Sequence, residues 1–217
     1  YNNRGNAYYA KGDNDRAIAD YTEALRLDPN LAVAYHNRGL AYYNKKDYDR
    51  AIADYTQALR LDPNAVRYTN RGDAYRNKGD YDRAIADYTQ ALRLEPNAVA
   101  YNNRGNAYYA KGDNDRAIAD YTEALRLDPN LAVAYHNRGY AYHYGKKDYD
   151  WAIADYNDAL RLDPNFAVAY HNRGYAYHYG KKDYDWAIAD YNDALRLDPN
   201  FAAAKSNLEA ARKARGW

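Results

Sequence analysis

Cysteine and methionine are absent from the 217 residues, and Ser206 is the only serine. Lack of cysteine removes disulfides, thiolate chemistry and cysteine-based zinc sites together, and leaves the redox compartment open. No apolar run approaches the roughly 20 residues that a membrane-spanning helix needs, and no segment reads as a signal peptide. A charge excess is missing too. The 31 Lys and Arg are balanced by 30 Asp and Glu, which leaves no basic field for nucleic acid. No glycine-rich phosphate loop follows a strand-like run. Paired acids such as Glu23 and Asp28 recur, with the ordinary explanation of a solvated helix face. The expectation is therefore no enzyme, no catalytic residues and no cofactor, in a soluble and preferentially cytoplasmic protein that binds neither membrane nor nucleic acid.

What the chain does have is tyrosine and repetition. Hydrophobic residues make up 47% of it, enough to bury a core, with 29 Tyr against 2 Phe and 3 Trp. Each Tyr carries a polar tip that must end beside water or a hydrogen-bond partner, which suits a thin two-layer assembly. The segment Arg-Leu-Asp/Glu-Pro-Asn recurs at 26–30, 60–64, 93–97, 126–130, 161–165 and 196–200. Repeat starts fall at Tyr1, Tyr35, Tyr68, Tyr101, Tyr135 and Tyr170, with Lys205 in the seventh such place. The spacings are 34, 33, 33, 34, 35 and 35, a period of stacked supersecondary units. Residues 1–39 equal 101–139 and 135–167 equal 170–202, which implies recent duplication or deliberate construction.

Each unit reads as two helices. In the second, Asn30 is positioned to cap a helix from Leu31 through Tyr43, and Asp47 to cap one from Tyr48 to about Leu61, which Pro63 ends. Ala51, Tyr55, Ala58 and Leu61 make one apolar stripe, with Arg50 and Asp54 as an i, i+4 pair on the other face. Gly5, Gly39, Gly72, Gly105, Gly139 and Gly174 sit inside the first helices at a cost of roughly 1 kcal/mol each. That cost makes sense if the glycines let the partner helix approach closely, with Ala51 and Ala58 as the matching small surface.

The run Tyr35, Gly39-Leu40-Ala41-Tyr42, Tyr48, Ala51, Tyr55, Ala58 and Pro63 resembles the tetratricopeptide repeat family, and the likeness covers essentially the whole chain. It implies an all-α, right-handed α-solenoid of six helix-turn-helix repeats, a single domain over 1–217 closed by a capping helix at about 201–215. Three features depart from the family. Arg4, Arg38, Arg71, Arg104, Arg138 and Arg173 stand where Leu is usual, Asn14 and Asn114 replace a Tyr, and the turns at 143–147 and 178–182 carry an extra residue. The cap shows a stripe of Phe201, Ala204, Leu208 and Ala211 with a polar back. Tyr1 falls inside a first helix whose start is not included, so a longer chain is inferred.

The resemblance also implies a groove lined by first helices and a role in binding protein or peptide. By position its lining would include Asn3, Asn37, Asn70, Asn103, Asn137 and Asn172, one amide per repeat. His36, Tyr43, Tyr109, His136, Tyr140, His143, His171, Tyr175 and His178 would join them, along with Tyr144 and Tyr179. Only Asp73 and Arg76 bring charge, so an uncharged segment of partner is expected. Several readings stay open. The asparagine row can grip a peptide backbone or bond helix to helix. The arginine row can pair with Asp20, Asp54, Asp87, Asp120, Asp155 and Asp190 across each helix pair. The five His suggest ligand contact or ring packing more than metal, because His136 and His143 lie roughly 10 Å apart along a helix. Trp151 and Trp186 either mark a binding surface or cover the longer turns. The alternative to a binding scaffold is a structural, self-associating repeat protein, stacking end to end.

Overall fold

The computed structural model describes residues 1–216; position 217, the last of the predicted domain, lies outside the described residues. Thirteen helices and no strand occur among them: α1 (Asn2–Ala10), α2 (Asn14–Leu27), α3 (Ala32–Asn44), α4 (Tyr48–Leu61), α5 (Ala65–Asn77), α6 (Tyr81–Leu94), α7 (Ala98–Ala110), α8 (Asn114–Leu127), α9 (Ala132–Tyr140), α10 (Tyr149–Leu162), α11 (Ala167–Tyr175), α12 (Tyr184–Leu197) and α13 (Ala202–Arg215). After α9 and α11 the chain runs on as π-helical turns, Ala141–Lys146 and Ala176–Lys181. The fold is all-α, with helix pairs repeated along the chain. Two compact units divide it, one covering 1–107 and one beginning at Tyr108.

Capping explains why the even-numbered helices are so alike. Asp13, Asp47, Asp80, Asp113, Asp148 and Asp183 each accept a hydrogen bond from the backbone N–H three residues on. Each satisfies one of the orphan donors of a helix start. The expectation for Asn30 fails. Leu31 is the N-cap of α3 and offers no side-chain bond, while Asp28 accepts from the Asn30 N–H in a turn. The reason is length. Where the repeat lacks the extra Leu, Asn64 and Asn97 do cap, accepting from Arg67 N–H and Ala100 N–H. The inserted Leu31 instead packs on Ala24, Leu25 and Ala34.

The first unit's core is built on Tyr21, Tyr55 and Tyr88, all essentially buried. In this unit these rings are what the helical glycines meet first, while in the second unit a Cβ on Gly139 would also meet the backbone oxygen of Ala152, the equivalent of Ala51, at 3.1 Å. A Cβ placed on Gly39 would stand 2.7 Å from Tyr55 Cε1, and Gly5 and Gly72 face Tyr21 and Tyr88 in the same way. The glycine is a socket for an aromatic ring. Tyr21 Oη donates to Asn6 Oδ1 at 2.9 Å and Tyr88 Oη to Asp73 Oδ1 at 2.6 Å, which satisfies these two polar tips; Leu40 stands at the equivalent place beside Tyr55. Burial pushes the Tyr21 hydroxyl up to about 12.

The arginine row bolts helices together. Arg38 Nε and Nη2 donate to the two oxygens of Asp54 at 2.7 and 2.8 Å, and Arg71 holds Asp87 likewise at 2.7 Å. The third arm reaches the previous pair: Arg38 Nη1 donates to Thr22 Oγ1 and Arg71 Nη1 to Thr56 Oγ1, both at 3.0 Å. In the second unit Arg138 and Arg173 hold Asp155 and Asp190. The supposed exposed pair Arg50–Asp54 is thereby dissolved. Asp54 is buried against Arg38, while Arg50 pairs with Asp47 and lies over the Tyr42 ring, 4.5 Å from its centre.

In the second unit Tyr121, Tyr156 and Tyr191 repeat the buried rings. Trp151 and Trp186 take the place of Arg50 and stack on Tyr142 and Tyr177, 5.9 and 6.0 Å between centres. Leu208 and Ala211 of α13 cover Ala187, Ile188 and Tyr191.

Candidate functional site: the first-helix faces

In the first unit the asparagine row is engaged from helix to helix. Asn37 Nδ2 donates to Asn6 Oδ1 at 2.9 Å, the same oxygen that takes the Tyr21 hydroxyl. Asn103 Nδ2 donates to Asp73 Oδ1 at 3.2 Å, the oxygen that takes Tyr88. Leu40 stands in that acceptor's place before Asn70, so Asn70 lacks this bond; Asn3 is exposed on α1. One N–H and the Oδ1 of Asn37 remain outside these bonds, because an amide carries two donors and an acceptor with two lone pairs.

Around Asn37 the face opens into a cleft of about 230 Å³ lined by Asn6, Tyr9, Tyr21, Asn37 and Leu40. Tyr43 accepts from Asn77 Nδ2 at 2.6 Å and Tyr9 from Asn44 Nδ2 at 3.0 Å, which fixes the outer rings. His36 is half-buried beside Tyr55, and burial, then the nearby Arg67 charge, lowers its pKa. The two charged residues face each other, Arg76 Nη2 lying 3.6 Å from Asp73 Oδ1. Burial pushes the Asp73 carboxyl up, against its bond from Tyr88 and the charge of Arg76.

The second unit differs because its first helices carry one residue more. The π-helical turns absorb it, and Gly145 and Gly180 allow it. A side chain on Gly145 would collide with Asn114, and one on Gly180 with the ring of Tyr149. The turn carries His143 and His178 inward, where both are buried, and leaves Tyr144 and Tyr179 exposed above them. Each pair is stacked, with 4.0 Å between His and Tyr centres.

A five-member relay runs through the same helices. Asn207 Nδ2 donates to His171 Nε2 at 3.0 Å, His171 Nδ1 to Asn172 Oδ1 at 3.2 Å, and Asn172 Nδ2 to His136 Nε2 at 3.0 Å. His136 Nδ1 then donates to Asn137 Oδ1 at 3.3 Å. Each imidazole accepts at Nε2 and donates at Nδ1, so the relay is complete only while both rings are neutral. Burial lowers the pKa of His136 and His171, against their Asn bonds. It also lowers His178, and takes His143 down to about 4. These His therefore do not turn the face cationic near their ordinary pKa of about 6.5, as a solvated imidazole would. Among the described residues no group of three His, Cys, Asp or Glu is placed to hold a metal.

Tyr109, Tyr140 and Tyr175 lie half-exposed on this face, with Tyr109 and Tyr140 centres 5.4 Å apart. Three features escaped the sequence: Asn207 as the end of the relay, the Thr acceptors of the arginine row, and the π-helical turns. The repeated Thr before Gln or Glu on the second helices was the available signal for the acceptors; the odd one-residue insertion was the signal for the turns.

Family models match along the chain. One described as TPR repeat covers residues 5–46 and 143–180, and three described as Tetratricopeptide repeat cover 69–132, 32–64 and 167–201. Among solved structures, one of MamA is 30% identical, covers 76% of this chain and 96% of that one, and has a TM-score of 0.68. The first TPR of Spaghetti (RPAP3) bound to HSP90 peptide SRMEEVD is 32% identical, covers 55% of this chain and 94% of that one, with a TM-score of 0.53. The APC/C hetero-tetramer Cut9-Hcn1 contributes a chain at 25% identity and TM-score 0.77, matched over 95% of this chain, which spans 41% of that one. No curated protein matches the sequence. The chain belongs to the tetratricopeptide repeat family. Its fold is that of a protein-interaction scaffold, and no described helix is long and apolar enough to cross a membrane.

Proposed function

We propose that this chain binds an extended, uncharged segment of a partner protein across its first-helix faces. The observation that carries the reading is the open cleft around Asn37, lined by amide, aromatic and aliphatic groups without a charge. Asn37 gives its helix-to-helix bond and still has a donor and an acceptor to offer a peptide backbone, so fold and binding share one amide. The RPAP3 domain similar to this chain holds a peptide. That peptide is acidic, whereas here the one cation of the lining, Arg76, is turned to Asp73. An uncharged segment avoids both the desolvation of a charge and the lack of a counter-charge.

An array of uncharged, acidic and basic octapeptides tests this. The uncharged members should bind preferentially. Asn37→Ala with Asn103→Ala should then weaken binding, since each neutral hydrogen bond is worth roughly 0.5–1.5 kcal/mol. Unchanged affinity with a lowered melting temperature would make the row purely structural.

A further inference from the structure

The second unit presents a ladder of tyrosine rings that the peptide-binding reading does not by itself explain. Ring centres follow one another from Tyr109 to Tyr140 at 5.4 Å, to Tyr144 at 4.5 Å, to Tyr175 at 5.8 Å and to Tyr179 at 4.3 Å. Tyr144 and Tyr179 are 38% and 46% exposed, high for rings packed so closely. They are present in this form because of the π-helical turns; at the corresponding places the first unit has Asn44 and Asn77.

We infer that this ladder docks a proline-rich segment in the left-handed extended polyproline conformation; the inference rests on the peptide-binding reading and names its ligand for this unit. Spacing is the first argument. The equivalent rings Tyr140 and Tyr175 are joined by steps of 4.5 and 5.8 Å and so lie at most about 10 Å apart, a limit that accommodates the ~9.3 Å advance of one three-residue polyproline turn. A proline at every third position then meets the same ring pair in each repeat.

Charge is the second. In the neighbouring turns Lys146 is paired with Asp115 and Lys181 with Asp150, while Lys147 and Lys182 stand exposed and make no ring contact with the ladder. The ladder itself carries hydroxyls and ring faces only. A proline segment has no backbone N–H and no side-chain charge to satisfy, and its carbonyls can accept from tyrosine hydroxyls.

Rigidity is the third. Tyr144 and Tyr179 are stacked on buried His143 and His178, and Tyr175 touches His143 at 5.3 Å. The rings are held before the ligand arrives, and a polyproline helix is likewise preformed, so little order is lost on docking.

Calorimetry of the full chain tests the inference with acetyl-decaproline amide, a Gly-Ser decamer, an uncharged proline-free decamer and cellohexaose. Decaproline should bind saturably and the Gly-Ser decamer should not. Tyr144→Ala with Tyr179→Ala, both exposed, should weaken decaproline by about tenfold or more, as aromatic anchors do, with an unchanged helical spectrum. Tyr144→Phe with Tyr179→Phe should keep most of the affinity if ring contact dominates. Failure of decaproline while the proline-free decamer binds would overturn this inference and leave the broader reading standing. Failure of both peptides would overturn both. Decaproline binding that ignores the Tyr→Ala pair, or cellohexaose binding in its place, would show that the ladder is not a proline site.

Discussion

Arg71→Leu is the sharpest perturbation of the fold, because leucine is what the family usually carries there. Arg71 donates to both oxygens of Asp87 at 2.7 Å and to Thr56 Oγ1 at 3.0 Å. Asp87 is only 5% exposed, so loss of the guanidinium strands a carboxylate away from water. Breaking a buried pair from one side costs about 3–5 kcal/mol. Losing the bond to Thr56 adds up to about 1 kcal/mol. In a chain of this size that total lowers the melting temperature by about 10 °C. Arg71→Leu with Asp87→Ala removes both charges and should return to within about 1 kcal/mol of the parent, since an apolar replacement of a buried pair is often neutral. Urea titrations followed by circular dichroism at pH 7 give all corners of the cycle. If the double variant loses as much as the two single ones together, the pair is not coupled and the reasoning fails.

Gly39→Ala should destabilise although alanine is the better helix former. The new Cβ would lie 2.7 Å from the Tyr55 ring, and such overpacking costs about 1–3 kcal/mol; a rise in melting temperature would refute the socket. The second unit should weaken in acid. Its buried His are neutral when folded and titrate near ~6.5 when unfolded. Their contribution is therefore complete above about pH 6.5 and falls as the pH drops. For His143 it is lost progressively down to its folded value of about 4. His143 faces Tyr144, Tyr149, Tyr156, Tyr175 and the like-charging His171, with no carboxylate among its ring contacts. By pH 5 it alone accounts for a loss on the order of 2 kcal/mol. His143→Gln should flatten melting temperature against pH, and an unchanged slope would refute the assignment.

The helix pairs were legible because Pro, Asp and the Gly-x-Ala-Tyr run act locally, through φ restriction, capping and close packing. Asn30 misled because one inserted Leu shifts the cap, and a cap depends on register by a single residue. The arginine row was readable as pairs, since Arg and Asp alternate in matching numbers. Its reach to Thr22 and Thr56 was not, because it needs the spacing between neighbouring repeats. The amide and aromatic character of the candidate face was visible in sequence. The depth at which His143, His171 and His178 lie was not, since the π-helical turn that buries His143 and His178 is set by three-dimensional contacts of Gly145 and Gly180.

Trp151 and Trp186 stack in the open on Tyr142 and Tyr177, 58% exposed each. All three tryptophans of the sequence lie beyond Tyr108, so the unit ending at Ala107 is dark in indole emission. Tryptophan fluorescence therefore watches one unit while circular dichroism watches both. Curves that superimpose mean that the two compact units melt as one. Curves that separate assign the silent transition to the unit without indole, and do so without any label being introduced.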